Sequence, residues 1–125
     1  MRRFTTLAAV AALFAVAAPA SAHHSGAMFD RDKQVTLVGT VKDFQWTNPH
    51  SSFAVEVMRP DGTGQVWGVE MNSPQNLIRE GWTRTTLKPG DKVTALINPL
   101  RDGKPGGVYV GVGLPDGRWL GGKGN

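Results

Sequence analysis

Three histidines are the side chains of this chain best suited to chemistry: His23 and His24 stand together and His50 stands alone. Their meaning depends on where the mature chain begins. Ala20-Ser21-Ala22 is a small-x-small pattern of the kind signal peptidase accepts, so cleavage after Ala22 leaves His23 with a free α-amine. The amine and side chain of one histidine chelate Cu(II) in a small ring. A remote imidazole, which His50 supplies, completes a T-shaped copper site of the histidine-brace kind, with His24 as a further imidazole. Cleavage after Ala20 instead gives Ser21-Ala22-His23, whose amine, two backbone amides and third-position imidazole form a tetragonal nitrogen site for Cu(II) or Ni(II). Either start offers copper a ligand set. The α-amine ordinarily titrates near 7.7–8.0 and must lose its proton to bind, so affinity should fall as pH drops through about 7.

The competing reading makes His23-His24 a solvated chain end and gives His50 a hydrogen bond in the turn after Asn48-Pro49. Zinc suits the chain less than copper, because nitrogen side chains are few and only Asp30 offers a carboxylate near the pair. Met28, Met58 and Met71 carry thioethers for Cu(I) but do not cluster, and packing is their expected role.

Other chemistries find little support. There is no cysteine, which removes disulfides, thiolate metal sites and thiol redox chemistry. No Gly-x-Ser-x-Gly elbow occurs, and no glycine-rich loop is followed by Lys-Ser/Thr. Glu56 and Glu70 could be paired for glycoside cleavage, but strand periodicity puts Glu56 on the solvated face. An oxidative copper enzyme is a remote alternative, since so small a barrel has little substrate surface and a single tyrosine, Tyr109, for an axial position. The expectation is therefore a protein that is not an enzyme.

The elements that must position these residues begin with an address. Met1-Arg2-Arg3 followed by an apolar run from Leu7 to Ala20 reads as a signal peptide over residues 1–22, of the general secretory type because Thr5 and Thr6 follow the arginine pair. That places the mature protein in the periplasm or outside the cell. Of 125 residues, 103 remain, with 12 Lys+Arg against 10 Asp+Glu and a net charge of +2. The dense basic surface expected of a nucleic-acid binder is missing, and no later apolar stretch is long enough to anchor the mature chain in a membrane.

After an N-terminal arm over 23–34, Val35 to Trp46 alternates and then changes phase, as a long bent strand does, with Gly39 at the expected bend. Ser51–Met58 and Gln65–Met71 form a hairpin around Arg59-Pro-Asp-Gly62. Ser73-Pro74 starts a short helix that Gly81 ends, anchored by Leu77 and Ile78. Strands at Val93–Ile97 and Val108–Val112 follow. Three strands, a helix and two strands predict a mainly β fold, a small five-stranded OB-like Greek-key barrel over 35–120 with one short helix between strands 3 and 4. A small open sheet covered by a helix is the alternative, and residues 121–125 are expected to form a flexible tail. Trp46, Trp67, Trp82 and Trp119 are expected mainly in the core, with Trp46 and Trp67 also candidates, beside Arg84, for a ligand or partner surface.

His23-His24-Ser25, Phe29-Asp30, Gly39-Thr-Val41, Trp46-Thr-Asn-Pro-His50, Ser73-Pro74, Arg79-Glu-Gly-Trp-Thr-Arg84, Leu87-Lys-Pro-Gly-Asp91 and Leu114-Pro-Asp-Gly117 resemble a family of small exported bacterial proteins catalogued as a domain of unknown function. The likeness covers nearly the whole mature chain. It implies no activity, substrate or cofactor, but it aligns His23, His24 and His50 with the family's His-His-Ser and Asn-Pro-His elements.

Two functions follow as expectations. One is an exported periplasmic protein that binds copper through His23 and His50. The other is a metal-free OB-like adaptor of the cell envelope that takes a small ligand, a glycan or a periplasmic partner protein on a surface with Trp46, Trp67 and Arg84.

Overall fold

The computed structural model of the protein describes residues 26–124. The predicted leader, His23 and His24 lie outside the described residues.

The chain starts with a single 3-10 turn, Gly26–Met28, and then supplies β1 (Val35–Gln45), β2 (Ser52–Met58), β3 (Gly64–Glu70), α1 (Pro74–Arg79), β4 (Lys92–Pro99), β5 (Gly106–Gly113) and β6 (Trp119–Gly121). The strands are ordered β3-β2-β1-β4-β5-β6. Neighbours in this order run antiparallel, and a parallel pairing of Gly68–Glu70 with Gly106–Val108 joins β3 to β5. That pairing closes strands β1 to β5 into a barrel, the mainly β architecture the strand pattern predicts.

Closure depends on β1 serving two partners. Its first half, Val35–Thr40, pairs with β4, and its second, Thr40–Gln45, with β2. The phase change read from the sequence is a register shift between Val41 and Asp43, which returns Phe44 to the core side after Leu37 and Val41. Gly39 is not at that shift. It sits where β1 crosses β2 so closely that a Cβ would collide with the Glu56 carbonyl. Gly39→Ala should therefore cost about 1–3 kcal/mol. Gly68→Ala, where a Cβ meets nothing within 4 Å, should cost less than about 1 kcal/mol. Thermal melts of the two variants check this, and equal melting temperatures would refute the close-approach role.

Inward residues from every long strand meet in one core: Leu37, Val41, Phe53, Val55, Val69, Val93, Ala95, Ile97 and Val112. Leu77 and Trp82 join them from α1 and the residues just after it. Ser73 caps α1 by accepting the Asn76 N–H, Pro74 occupies its first turn, and Gly81 ends it at a φ of 97°. Only one side of so short a helix faces inward. Leu77 is fully buried, whereas Ile78, expected to share the anchoring, is 60% exposed and does not.

The five-strand pattern misses β6, which pairs Trp119–Gly121 with Gly111–Gly113 where β5 has left β3. Trp119 lies over Gly111 and Gly113, which lack the side chains that would block it, and its indole N–H donates to the Gly122 carbonyl. Gly122 in turn donates to Val110, so ordered hydrogen bonding reaches past Leu120. No helix among the described residues is long and apolar enough to cross a membrane.

Candidate functional site around His50

His50 is the last residue but one of the loop between β1 and β2, and that loop is tied to the end of β3. Ser51 donates its N–H to Asn72 and accepts that of Met71, at 3.0 and 2.8 Å. The Thr47 hydroxyl donates to the His50 carbonyl at 2.9 Å. These bonds hold the imidazole beside the last residues of β3, with 56% of its side chain open to solvent.

His50 Nδ1 lies 3.0 Å from the Met71 carbonyl oxygen. A carbonyl can only accept, so Nδ1 carries the hydrogen and the lone pair of the neutral ring belongs to Nε2. This is the usual arrangement of a metal-ligating histidine, whose second nitrogen donates to a backbone carbonyl or carboxylate. Glu70 Oε1 is 3.8 Å from the same Nδ1, and its charge favours the donor.

Two depressions meet at this point, and Phe29, His50 and Glu70 line both. One, of about 530 Å³, crosses the outer face of β2 and β3 over Ala54 and Gly68 and is walled by Met28, Pro49 and Leu100. The other, of about 380 Å³, extends to Gly26, Arg31, Glu80 and Tyr109. Phe29 closes the boundary between them. It is buried, forms an antiparallel bridge with Leu100, and belongs to a segment pinned by Arg101: the Arg101 N–H donates to the Met28 carbonyl at 2.9 Å and its Nε to Ala27 at 3.0 Å. Asp30 adds an N–H bond to Pro99 and an ion pair with Arg101. Residues 27–30 are thus fixed against the end of β4 and the loop between β4 and β5, with Gly26 in the cleft that holds His50.

Tyr109 is not an open ligand. Its hydroxyl accepts the Trp82 indole N–H at 3.0 Å and donates to Glu80 Oε2 at 2.9 Å. Burial pushes the phenol above its ordinary range; the Trp82 N–H opposes this and the Glu80 carboxylate reinforces it. The group stays a neutral hydroxyl under physiological conditions.

The other candidates lie elsewhere. Trp46 and Trp67 are half-buried and pack against the core, Trp46 edge-on to Phe44 with ring centres 6.0 Å apart. Arg84 is exposed in the loop after Trp82, and none of the three lines the depressions around His50. Among the described residues, no three or more His, Asp or Glu side chains stand together as a metal-binding group. Glu70, Phe29 and the Met71 carbonyl were not legible as His50's neighbours, because each arrives through the pairing of the loop with β3 or through the docked N-terminal segment.

A family model described as a family of unknown function, DUF6152, matches residues 10–109. The chain belongs to DUF6152. No curated protein matches this DUF6152 chain by sequence. A solved structure similar to it is the mitochondrial single-stranded DNA binding protein Rim1 of S. cerevisiae, with a TM-score of 0.51 and 12% identity over 66% of this chain and 92% of that one. That likeness supports the OB-like barrel of the DUF6152 chain.

Proposed function

We propose that this chain is an exported periplasmic copper-binding protein. The α-amine and imidazole of His23, freed by cleavage after Ala22, join His50 Nε2 around Cu(II), with His24 as a further imidazole in reach. The observation that supports this best is the docking of the N-terminal segment, which leaves Gly26 lining the same cleft as His50 and Glu70. His24 is two residues before Gly26 and His23 three, a reach of at most ~7 and ~11 Å. The Nδ1–H tautomer of His50 adds to it by leaving Nε2 as the donor nitrogen. The role assigned is binding, without a reaction.

The single-stranded DNA binding named for Rim1 is not carried over. Such proteins stack bases on aromatic rings beside cationic side chains. Here the cross-strand pairs on the outer face of β2 and β3 are Ser52 with Glu70, Ala54 with Gly68, Glu56 with Val66 and Met58 with Gly64, which supply two carboxylates, no ring and no cation. A second reading, a metal-free adaptor, draws on the 530 Å³ groove across that face, whose apolar wall of Phe29, Pro49 and Leu100 suits a small apolar ligand or a partner's side chain.

The deciding experiment is mass spectrometry of the secreted protein followed by Cu(II) titration with electron paramagnetic resonance on the same sample. A chain starting at His23 should give an axial, nitrogen-coordinated spectrum that is lost when the His23 α-amine is acetylated, which removes its lone pair without placing a histidine at the third position of a new chain start. Binding that is weak, or indifferent to acetylation, would overturn the proposal and favour the adaptor.

A further inference from the structure

We propose that Met28 is a copper ligand and that, with His50, it gives the same site a place for Cu(I). This rests on the copper reading above and extends it to the second oxidation state. A purely nitrogen donor set suits Cu(II), whereas a thioether is a soft donor that selects Cu(I), and imidazole serves either ion. A site that offers both kinds of donor can hold copper under oxidising and reducing conditions.

The placement of Met28 carries the argument. Met28 and His50 line one groove although they are far apart in the sequence, so the absence of a methionine cluster hides their juxtaposition. The backbone of Met28 is fixed by the two hydrogen bonds from Arg101 to Met28 and Ala27, so the thioether is presented at a defined rim rather than on a free end. Met28 is 40% exposed, next to a Phe29 that is almost fully buried. The other two described methionines lack one requirement each. Met71 is sealed in the core, and Met58 is exposed at the end of β2, paired with Gly64 and away from both depressions.

The test uses the processed protein, a form acetylated at the His23 α-amine, and the variants Met28→Leu and Met58→Leu. Each is titrated with Cu(II) in air and with Cu(I), without oxygen, against a chromophoric Cu(I) chelator. Met28→Leu should leave Cu(II) affinity within about twofold, weaken Cu(I) by about tenfold or more, and remove the sulfur scatterer from the X-ray absorption spectrum of the Cu(I) form. Met58→Leu should change neither affinity. Unaltered Cu(I) affinity in Met28→Leu, an equal loss in Met58→Leu, or a Cu(I) spectrum without sulfur would overturn the Met28 role. The acetylated form separates the two ideas: Cu(II) binding that ignores the blocked α-amine refutes the N-terminal site, whatever Met28 does.

Discussion

His50→Ala is expected to lower the Cu(II) affinity of the processed protein by about a hundredfold or more while leaving the fold intact. Loss of a group that merely supports a ligand costs 10–100-fold, and His50 is assigned the bond itself. The fold should tolerate the change because more than half of the side chain is in solvent and its one strong protein contact is the bond to Met71, worth about 1 kcal/mol. The double variant His23→Ala, His50→Ala should bind no copper tightly. The pH dependence supplies an independent arm. Copper displaces a proton from the α-amine, so affinity should rise with pH and fall by about tenfold per unit once pH drops below the amine's ordinary range of 7.7–8.0. A His50→Ala protein with unchanged affinity, measured by competition with a calibrated chelator, would remove His50 from the site.

Trp82→Ala should have the largest effect on stability, about 3–5 kcal/mol. Trp82 is 1% exposed, its ring is 6.0 Å from Phe44 and 5.5 Å from Tyr109, and its N–H is donated to the Tyr109 hydroxyl. Truncation leaves a cavity in the core cluster that Trp82 shares with Leu77 and Phe44. For a domain of this size each kcal/mol corresponds to about 4–8 °C, so a fall in melting temperature of about 12 °C or more is expected. Trp82→Phe, which keeps a ring, should lose about half as much or less. A Trp82→Ala melt within a few degrees of the parent would show that the indole is not a core element.

The parts of this structure that could be read in advance are those fixed by neighbours in sequence. Ser73-Pro74 and Gly81 delimit α1 because capping and a positive φ are local demands. Alternation at Phe53, Val55 and Val57 marks core-facing strand positions because the pleat imposes it, the first two buried and the third packed against the core. What could not be read depends on pairing. Gly39 was assigned the bend because a glycine in a strand often marks one; the register shift instead follows from β1 turning from one partner to another, and the glycine answers to the Glu56 carbonyl across the sheet. Ile78 and Leu77 are equally apolar in sequence, and only the direction of a two-turn helix separates them. β6 is shorter than the span over which alternation can be recognised. The candidate site divides in the same way: His50 stood out by composition, but its tautomer, Glu70 and Met28 are products of the fold.

The closure of the barrel has a consequence for how the chain folds. Val35 lies opposite Ile97 and Gly68 beside Gly106, so the bonds that complete the sheet join segments far apart in sequence. Topologies dominated by such distant pairings fold slowly, in milliseconds to seconds, because the chain must close long loops before any of those contacts is rewarded. β1 alone cannot be satisfied until β4 exists, and β3 cannot be satisfied until β5 exists. A polypeptide whose fold waits on its last third stays without a closed sheet until that third has been made.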